Sequence, residues 1–437
     1  MTSKPSPVSV ALAGLAALAL AIGIGRFAFT PLLAMMQKDQ GLSFELGGWL
    51  ASSNLLGYLI GGLTAQFLRS NPAGSARLSV VLVTLGTIIM AWPYSPYIWG
   101  TGRFIAGLAS AWMMISISML CLPVLAATPR LAAWVYAGVG VGITLTGTLC
   151  LVMVLGHQAS ATTWTLLALA CVGLGYPVWR TFKTPIKFSG KPSSHNDKHA
   201  INVDGTAQGT QSSAVYQAGS KPKISATNPA TINHLNTPTP LHARTRLRLL
   251  TWCYGLYGFG YILPATFLPA QARIWLGESW TYSLAWPLFG LAAAISTWAA
   301  GFLLKRMARL PIWGTAHIVM ALGLIAPAIS PSITTIMIAA LCVGGTFLVI
   351  TLVAMQEAQQ YGGQEAGKWM ARLTTAFAAG QVLGPVLVSL WGGLLKGAQD
   401  RALELALWAA SGVLLFAAIL IFSVNRSATL DNNHKDT

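Results

Sequence analysis

The sequence predicts an all-α polytopic membrane protein with twelve transmembrane helices in two pseudo-symmetric six-helix bundles. Three observations lead to this prediction: an apolar composition, long uninterrupted hydrophobic segments, and one long polar segment near the middle of the chain. Of the 437 residues, 54% are hydrophobic and 9% are charged, whereas a soluble domain carries about 25% charged residues. A soluble globular protein is therefore excluded.

The basic excess of the chain does not indicate a nucleic-acid partner. Lysine and arginine number 27 against 11 acidic residues, a formal net charge of +16. Nucleic-acid binding needs a basic face on a soluble scaffold. Here we expect the excess basic residues to lie next to the lipid instead. The five cysteines all lie inside apolar segments, as buried thiols do, and form neither a disulfide framework nor a metal site.

Segments of about 20 apolar residues have the length of a membrane-spanning helix. Continuous apolar runs favour helices over barrel strands, whose residues alternate. The first segment begins like a signal peptide but continues past Arg26 to Met36, so we interpret it as a retained span. The predicted spans cover residues 8–36, 45–68, 76–93, 97–124, 131–155, 162–182, 246–271, 279–304, 311–329, 331–355, 369–395 and 402–424.

The long polar segment, about residues 183–243, separates spans six and seven. It has few bulky apolar residues to offset its ordering entropy, so we expect a mostly disordered linker. His195 and His199 lie in it, and a solvated linker explains them better than a metal ion does. The predicted organisation is a bundle at 1–182, the linker at 183–243, a bundle at 244–426 and a tail at 427–437.

The basic residues predict the orientation of the chain in the membrane. With a cytoplasmic amino terminus, most lysines and arginines lie on the cytoplasmic side, and Arg26 and Arg103 lie within spans. Both termini and the linker are therefore predicted to be cytoplasmic. Four basic residues fall on the outer side: Lys38, Arg273, Lys396 and Arg401.

A short pattern occurs in both halves. Span one contains Gly23-Ile-Gly25-Arg26 followed by Pro31, and span seven contains Gly258-Phe-Gly-Tyr261 followed by a proline. Each has Gly-x-Gly at mid-span, then a large polar residue. The matched positions predict a two-repeat architecture.

Arg26 is the strongest candidate for a functional residue, because a charge at mid-depth costs at least ~2.5–3.5 kcal/mol on insertion scales. It lies about eleven residues from the outer end of span one, or roughly 16 Å at helical rise. On a regular helix, Gly23 and Thr30 share its face. Its donor fork can bind a carboxylate or phosphate. The alternative is a structural arginine that binds carbonyls freed near Pro31, or Asn54.

Span four offers the second intramembrane arginine, Arg103, on a face that continues through Gly107, Ser110, Met114 and Ser118. The arginine could snorkel to the interface, and this small, polar face could line water or pack closely. The sequence leaves both alternatives open.

Span seven places Tyr254, Tyr257 and Tyr261 on one face, where their hydroxyls need partners from a cavity, a substrate or interhelical packing. Asn54 and Tyr58 form a smaller polar stripe on span two. Gln381 precedes Gly384-Pro385 on span eleven, where we expect a kink or a close helix approach.

The sequence leaves proton coupling open, because no acidic residue lies at the centre of a span and His317 is the only intramembrane histidine. No enzyme motif is supported. Gly362 to Lys368 fits the first seven positions of a P-loop, but Trp369 stands where a serine or threonine would bind magnesium.

Twelve spans in two halves joined by a cytoplasmic linker resemble the major facilitator superfamily (MFS). Arg103-x-x-x-Gly107 is similar to its span-four motif, whose arginine is implicated in substrate or proton handling. The segment Gly23 to Pro31, with Gly48 to Tyr58 in span two, resembles the YbfB/YjiJ group of bacterial facilitators.

Two departures concern the mechanism. The loop from Gly62 to Arg69 lacks the aspartate of the superfamily's gating motif. Span five lacks the Gly-Pro pair typical of drug/proton antiporters, which weakens an efflux assignment.

The resemblance implies that spans one, four, seven and ten line a central cavity, that the halves rock around it, and that the chain lies in a bacterial cytoplasmic membrane. We therefore expect a secondary active or facilitative transporter of a small organic solute. Two arginines without a mid-membrane carboxylate favour an anionic solute. A transporter-like sensor and an efflux pump for hydrophobic compounds remain alternatives.

The predicted partners are a small-molecule substrate, with proton coupling open, and the lipid bilayer. We expect a monomer that is not an enzyme, with no cofactor, metal ion or nucleic acid. The predicted substrate-binding residues are Arg26, Thr30, Asn54, Tyr58, Arg103, Tyr254, Tyr257, Tyr261 and Gln381. The predicted gating or structural residues are Gly23, Gly25, Pro31, Gly107, Gly384 and Pro385.

Overall fold

The computed structural model describes residues 5–68, 70–93, 95–183, 240–276, 284–330, 332–394 and 399–433. Within these ranges all regular secondary structure is helical and no strand occurs, as the sequence predicts. The predicted linker lies almost entirely outside the described residues, and the helix that follows it begins at Pro240.

Thirteen α-helices occur in the described residues. In the amino-terminal half they are α1 Pro7–Leu18, α2 Phe29–Asp39, α3 Phe44–Leu68, α4 Pro72–Ile88, α5 Pro96–Val124, α6 Pro129–Leu155 and α7 Ser160–Thr181. In the carboxy-terminal half they are α8 Pro240–Leu276, α9 Ala285–Leu303, α10 Arg309–Ile329, α11 Ile333–Gly362, α12 Ala366–Leu394 and α13 Gln399–Asn433.

Local sequence explains where several helices begin. Proline occupies the first turn of α1, α4, α5 and α6, where its missing N–H costs no hydrogen bond. Ser332 and Thr335 form a reciprocal capping box at the start of α11. The carboxylate of Asp39 accepts hydrogen bonds from the Ser160 backbone N–H at 2.5 Å and hydroxyl at 3.0 Å. Asp39 therefore caps α7 and ties the end of α2 to it.

Predicted span one is not one regular helix. Between α1 and α2 the chain forms a π-helix, Ala19–Ile24, and then a turn. The backbone N–H groups of Gly25 and Phe27 each donate to a carbonyl five residues back. Pro31 has no N–H to donate, so it leaves the Phe27 carbonyl without its helical partner. The prediction that Gly23 and Thr30 share a face with Arg26 requires a regular helix, so it is wrong.

The same helix pairs pack in both halves. The pair α4–α5 corresponds to α10–α11, the pair α3–α5 to α9–α11, and the pair α4–α7 to α10–α13. The two halves join along two seams, α6 against α9 and α3 against α12. The same correspondence between the halves relates one seam to the other. This pattern agrees with the predicted pseudo-symmetric repeat.

The repeated Gly-x-Gly strings make equivalent contacts. A Cβ at Gly23 would lie 2.5 Å from the Cα of Gly142 on α6, and one at Gly258 would lie 2.2 Å from the Phe377 carbonyl oxygen on α12. Both distances are far below van der Waals contact. Each helix can therefore approach its neighbour this closely only because the residue at the contact is a glycine.

By length and hydropathy, nine segments of the described residues qualify as membrane spans. One of them, Ile333–Leu387, covers α11 and most of α12. An all-α membrane protein is therefore confirmed, whereas the count of twelve spans stays a prediction.

Candidate functional site

The break in span one directs Arg26 into the protein interior, where it is 7% exposed. Its Nη2 donates a hydrogen bond of 2.8 Å to the side-chain oxygen of Gln381 on α12. The guanidinium also lies 3.9 Å from the centre of the Tyr58 ring, a cation–π contact. Arg26 and Gln381 thus connect the two halves through a buried polar bond.

Arg26 has no counter-charge: none of the ion pairs among the described residues includes it. Its Nε is buried and has no hydrogen-bond partner in the part of the chain that the structure describes, and the same holds for Nε2 of Gln381. A buried cation with a vacant donor is unfavourable unless an acceptor reaches it. The arrangement is suited to receiving an anion.

Arg103 has different partners. Its Nη1 donates to the Gly25 carbonyl and its Nη2 to the Arg26 carbonyl, both at 3.1 Å. These carbonyls belong to the break in span one. The structural role that the sequence left open for Arg26 is therefore observed at Arg103.

Two further side chains satisfy the broken helix. Asn54 donates to the carbonyl oxygens of Arg103 at 2.8 Å and of Gly25 at 3.4 Å. Ser110 donates to the Ala21 carbonyl at 2.5 Å. Polar side chains of α3 and α5 thus replace the hydrogen bonds that the π-helix and turn cannot make.

The three tyrosines of α8 differ in how their hydroxyls are satisfied. Tyr254 donates to the Thr351 hydroxyl at 3.2 Å, and Tyr257 donates to the Phe347 carbonyl at 2.9 Å. The hydroxyl of Tyr261 is buried, and no described residue forms a hydrogen bond with it. Tyr261 is therefore the tyrosine with free hydrogen-bonding capacity.

A cavity of about 20 Å³ lies where the two halves meet. This volume holds about one water molecule, so the cavity of the described conformation leaves no room for an organic solute. The cavity is lined by Ile22, Arg26, Phe27, Tyr58, Met114 and Val139 from the amino-terminal half and by Tyr254, Tyr261, Phe347, Leu348, Thr351 and Phe377 from the carboxy-terminal half.

The structure brings Arg26, Tyr58, Tyr254 and Tyr261 together at this cavity, with Gln381 bound to Arg26. It does not place every predicted binding residue there. Thr30 is partly buried. Five predicted binding residues are absent from the lining: Thr30, Asn54, Arg103, Tyr257 and Gln381.

The predicted gating or structural residues lie at close helix contacts and breaks. A Cβ at Gly107 would lie 2.1 Å from the Asn54 carbonyl oxygen, and one at Gly384 would lie 2.4 Å from Cγ2 of Ile262. Gly25 ends the π-helix, Pro31 lies in the first turn of α2, and Pro385 lies inside α12.

Sequence reasoning missed three phenylalanines of the cavity. Phe377 stacks on Tyr254 and Tyr257 with ring centroids 5.2 and 5.0 Å apart. Phe347 stacks on Tyr261 at 5.2 Å, and Phe27 reaches Phe347 at 6.2 Å. A phenylalanine in an apolar span gives no indication of its partner, so only the packing reveals this aromatic enclosure.

Two titratable side chains lie near this region but outside the cavity lining. His317 is fully buried, with Nδ1 3.0 Å from the Trp313 carbonyl and Nε2 without a partner. Glu357 pairs with Arg246 at 2.6 Å and with Arg309 at 3.3 Å at the predicted cytoplasmic end of α11. Within the described residues, no cluster of three metal-ligating side chains occurs.

A family model described as "Uncharacterised MFS-type transporter YbfB" matches residues 18–212 and 213–422. No curated protein matches the sequence. Among solved structures, the chain is similar to the human organic anion transporter MFSD10 (TETRAN), with a TM-score of 0.65 at 15% sequence identity. That match covers 96% of this chain and 100% of the other, and at such low identity it shows the fold alone.

The family match spans both halves and includes the residues of the cavity, and the fold agrees with it. The chain is an integral membrane protein that belongs to the YbfB family of MFS-type transporters.

Proposed function

We propose that this transporter carries a small organic anion and that Arg26 is the residue that binds its negative charge. The observation that supports this proposal is a buried guanidinium at a cavity between the two halves, with no carboxylate partner among the described residues. An anion that enters the cavity supplies the missing charge and accepts from the free Nε.

The other polar groups of the cavity support an anionic rather than a cationic ligand. None of the lining residues is acidic, so a cation would find no counter-charge. Gln381 contributes an unpartnered N–H donor next to Arg26. The name of the similar solved structure, an organic anion transporter, is consistent with this proposal but does not carry it.

Transport would proceed by alternating access. The cavity lies between the halves and has space for only about one water molecule, so a solute enters only when the halves part. The Arg26–Gln381 bond crosses from one half to the other. Binding of an anion would compete for this bond, which would couple occupancy of the site to movement of the halves.

We also propose that one chain forms the complete transport unit, since both halves of the cavity come from the same chain. Most basic residues are predicted on one side, which supports cytoplasmic termini in a bacterial cytoplasmic membrane. The coupling ion is left open in this proposal.

The test is uptake of labelled organic anions into proteoliposomes by the wild-type chain and by the variants Arg26→Ala and Arg26→Lys. We expect Arg26→Ala to lower uptake at least about tenfold, because charge-assisted hydrogen bonds contribute about 1.5–3 kcal/mol. Arg26→Lys keeps the charge but loses the fork and should retain part of the activity.

The matched control is Arg180→Ala. Arg180 is exposed at the end of α7, and its guanidinium lies 5.8 Å from the centre of the Tyr176 ring. It does not line the cavity. We expect this variant to transport like the wild type. Unchanged uptake by both Arg26 variants would show that Arg26 does not bind the anion.

A further inference from the structure

Three unpartnered polar groups lie at the cavity or next to it. Arg26 Nε, Gln381 Nε2 and the Tyr261 hydroxyl are all buried, and none has a hydrogen-bond partner among the described residues. Arg26 and Tyr261 line the cavity, and Gln381 is bound to Arg26. A carboxylate only accepts hydrogen bonds and offers about four lone-pair sites on two oxygens. One carboxylate can therefore accept hydrogen bonds from all three donors.

The charge of the site limits the charge of the ligand. Arg26 is the only charged side chain among the residues that line the cavity. Arg103 does not line the cavity, and both of its Nη atoms donate to backbone carbonyls, so its charge is not available to a ligand there. One positive charge balances one negative charge, and a second carboxylate would be buried without a partner.

The remaining walls suit an apolar body. Six aromatic rings line the cavity: Phe27, Tyr58, Tyr254, Tyr261, Phe347 and Phe377. The Thr351 hydroxyl already donates to the Phe347 carbonyl and accepts from Tyr254. A hydroxylated ligand would therefore bury hydroxyl groups against rings, at the cost of unsatisfied hydrogen bonds.

The rings also meet across the two halves. Phe27 lies 6.2 Å from Phe347, and Tyr58 lies 6.5 Å from Phe377, measured between ring centroids. When the halves part, these ring contacts are lost. An aromatic ligand between the separated rings would replace them with contacts at the same preferred centroid distances of about 4.5–7 Å.

We infer that the ligand is an aromatic monocarboxylate, with its carboxylate held by Arg26 and Gln381 from opposite halves and its ring held by the phenylalanines and tyrosines of the cavity. This inference rests on the proposed function and narrows its substrate class.

The experiment measures binding to the purified full-length chain in detergent by titration calorimetry. Phenylacetate is the probe. Phenylacetamide tests the charge and cyclohexylacetate the aromatic ring. Glycolate tests replacement of the ring by a hydroxyl, and succinate its replacement by a group that carries a second carboxylate. We expect phenylacetate to bind at least about tenfold more tightly than phenylacetamide, glycolate or succinate, and about two- to tenfold more tightly than cyclohexylacetate.

Three variants assign the contacts. Gln381→Glu places a carboxylate next to the Arg26 guanidinium and should abolish phenylacetate binding. Phe377→Leu should remove the preference for phenylacetate over cyclohexylacetate and leave the preference over phenylacetamide. Arg180→Gln, the matched surface control, should bind as the wild type does. A melting curve for each variant separates loss of binding from loss of folding.

The outcomes separate this inference from the proposed function. Tighter Arg26-dependent binding of succinate, glycolate or cyclohexylacetate than of phenylacetate would overturn the aromatic monocarboxylate and leave an anion transporter. No binding of phenylacetate by the folded wild-type chain would overturn it as well, and the proteoliposome assay would still test the proposed function. Equal binding of phenylacetate and phenylacetamide, unchanged in Arg26→Gln, would contradict both.

Discussion

Arg26 and Arg103 are linked directly, because Nη2 of Arg103 donates to the backbone carbonyl oxygen of Arg26. Both side chains are buried, at 7% and 3% exposure. The cost of an intramembrane charge identifies both as functional candidates from sequence. Their positions distinguish them. Among the described residues the Nε of each arginine is buried without a partner, but Arg103 donates to the backbone of the broken helix, whereas Arg26 lines the cavity. We therefore interpret Arg103 as the residue that positions Arg26.

This interpretation predicts a difference between stability and binding at Arg103. Arg103→Met removes the buried partner of two carbonyls and should lower the free energy of unfolding by about 1–3 kcal/mol. It should also weaken phenylacetate binding in the protein that remains folded. Arg103→Lys should be intermediate, because a single ammonium lacks the planar fork that reaches both carbonyls.

Thermal unfolding in detergent and calorimetric titration below the melting temperature measure the two effects. Arg180→Met, which removes an exposed arginine of similar length, is the control and should change neither. An Arg103→Met variant with wild-type stability would rule out the positioning role.

At the scale of the helices, close packing through glycines determines how the polar groups meet. Gly107 brings α5 against the Asn54 carbonyl of α3. The Asn54 side chain in turn bonds to the Arg103 and Gly25 carbonyls. A change in the α3–α5 distance therefore acts on the hydrogen bonds of the span-one break.

Two glycine substitutions test this packing. At Gly107→Ala the new Cβ would meet the Asn54 carbonyl oxygen at 2.1 Å, so the helices must separate. Overpacking of this kind costs about 1–3 kcal/mol. At Gly173→Ala on α7 no atom lies within 4 Å of the new Cβ, and the better helix propensity of alanine should leave stability unchanged or slightly raised.

Melting temperatures of the two alanine variants provide the comparison, since both make the same chemical change inside a helix. Equal melting temperatures for the two would contradict a packing role for Gly107.

At the scale of the whole molecule, residues Met1–Pro185 and Leu241–Thr437 belong to one compact unit. The seams α6–α9 and α3–α12 join its halves, and the cavity and the Arg26–Gln381 bond lie between them. A transporter needs these contacts to alternate, whereas a sensor would also need an output through the polar segment between the halves.

Deletion of residues 190–240 distinguishes these alternatives. If the chain is a transporter, proteoliposome uptake of organic anions by the deleted chain should stay within about twofold of the wild type, because every cavity residue is retained. A scrambled segment of equal length controls for the shortened connection. Saturable binding without flux in the intact chain would support the sensor instead.

Part of the candidate site could be predicted from the sequence, and the misses have physical reasons. The sequence indicated Arg26, Tyr58, Tyr254 and Tyr261, which line the cavity, because polar groups in an apolar span are costly and therefore conspicuous. That these residues bind a solute stays a prediction. Phe27, Phe347 and Phe377 were missed, since aromatic residues are ordinary in such spans. The π-helix before Arg26 was also missed, because the hydropathy of a segment does not indicate which carbonyl oxygen accepts a hydrogen bond from each backbone N–H.

Composition and the length of the hydrophobic segments by themselves determined that this chain is a helical membrane protein, since a bilayer requires every backbone group to bond within its own helix. The Gly-x-Gly pattern also indicated the repeat. Only the tertiary structure decided which of two buried arginines faces the cavity. That choice depends on Gln381, Asn54 and the carbonyls of Gly25 and Arg26, groups from different helices whose distances no local sequence pattern contains.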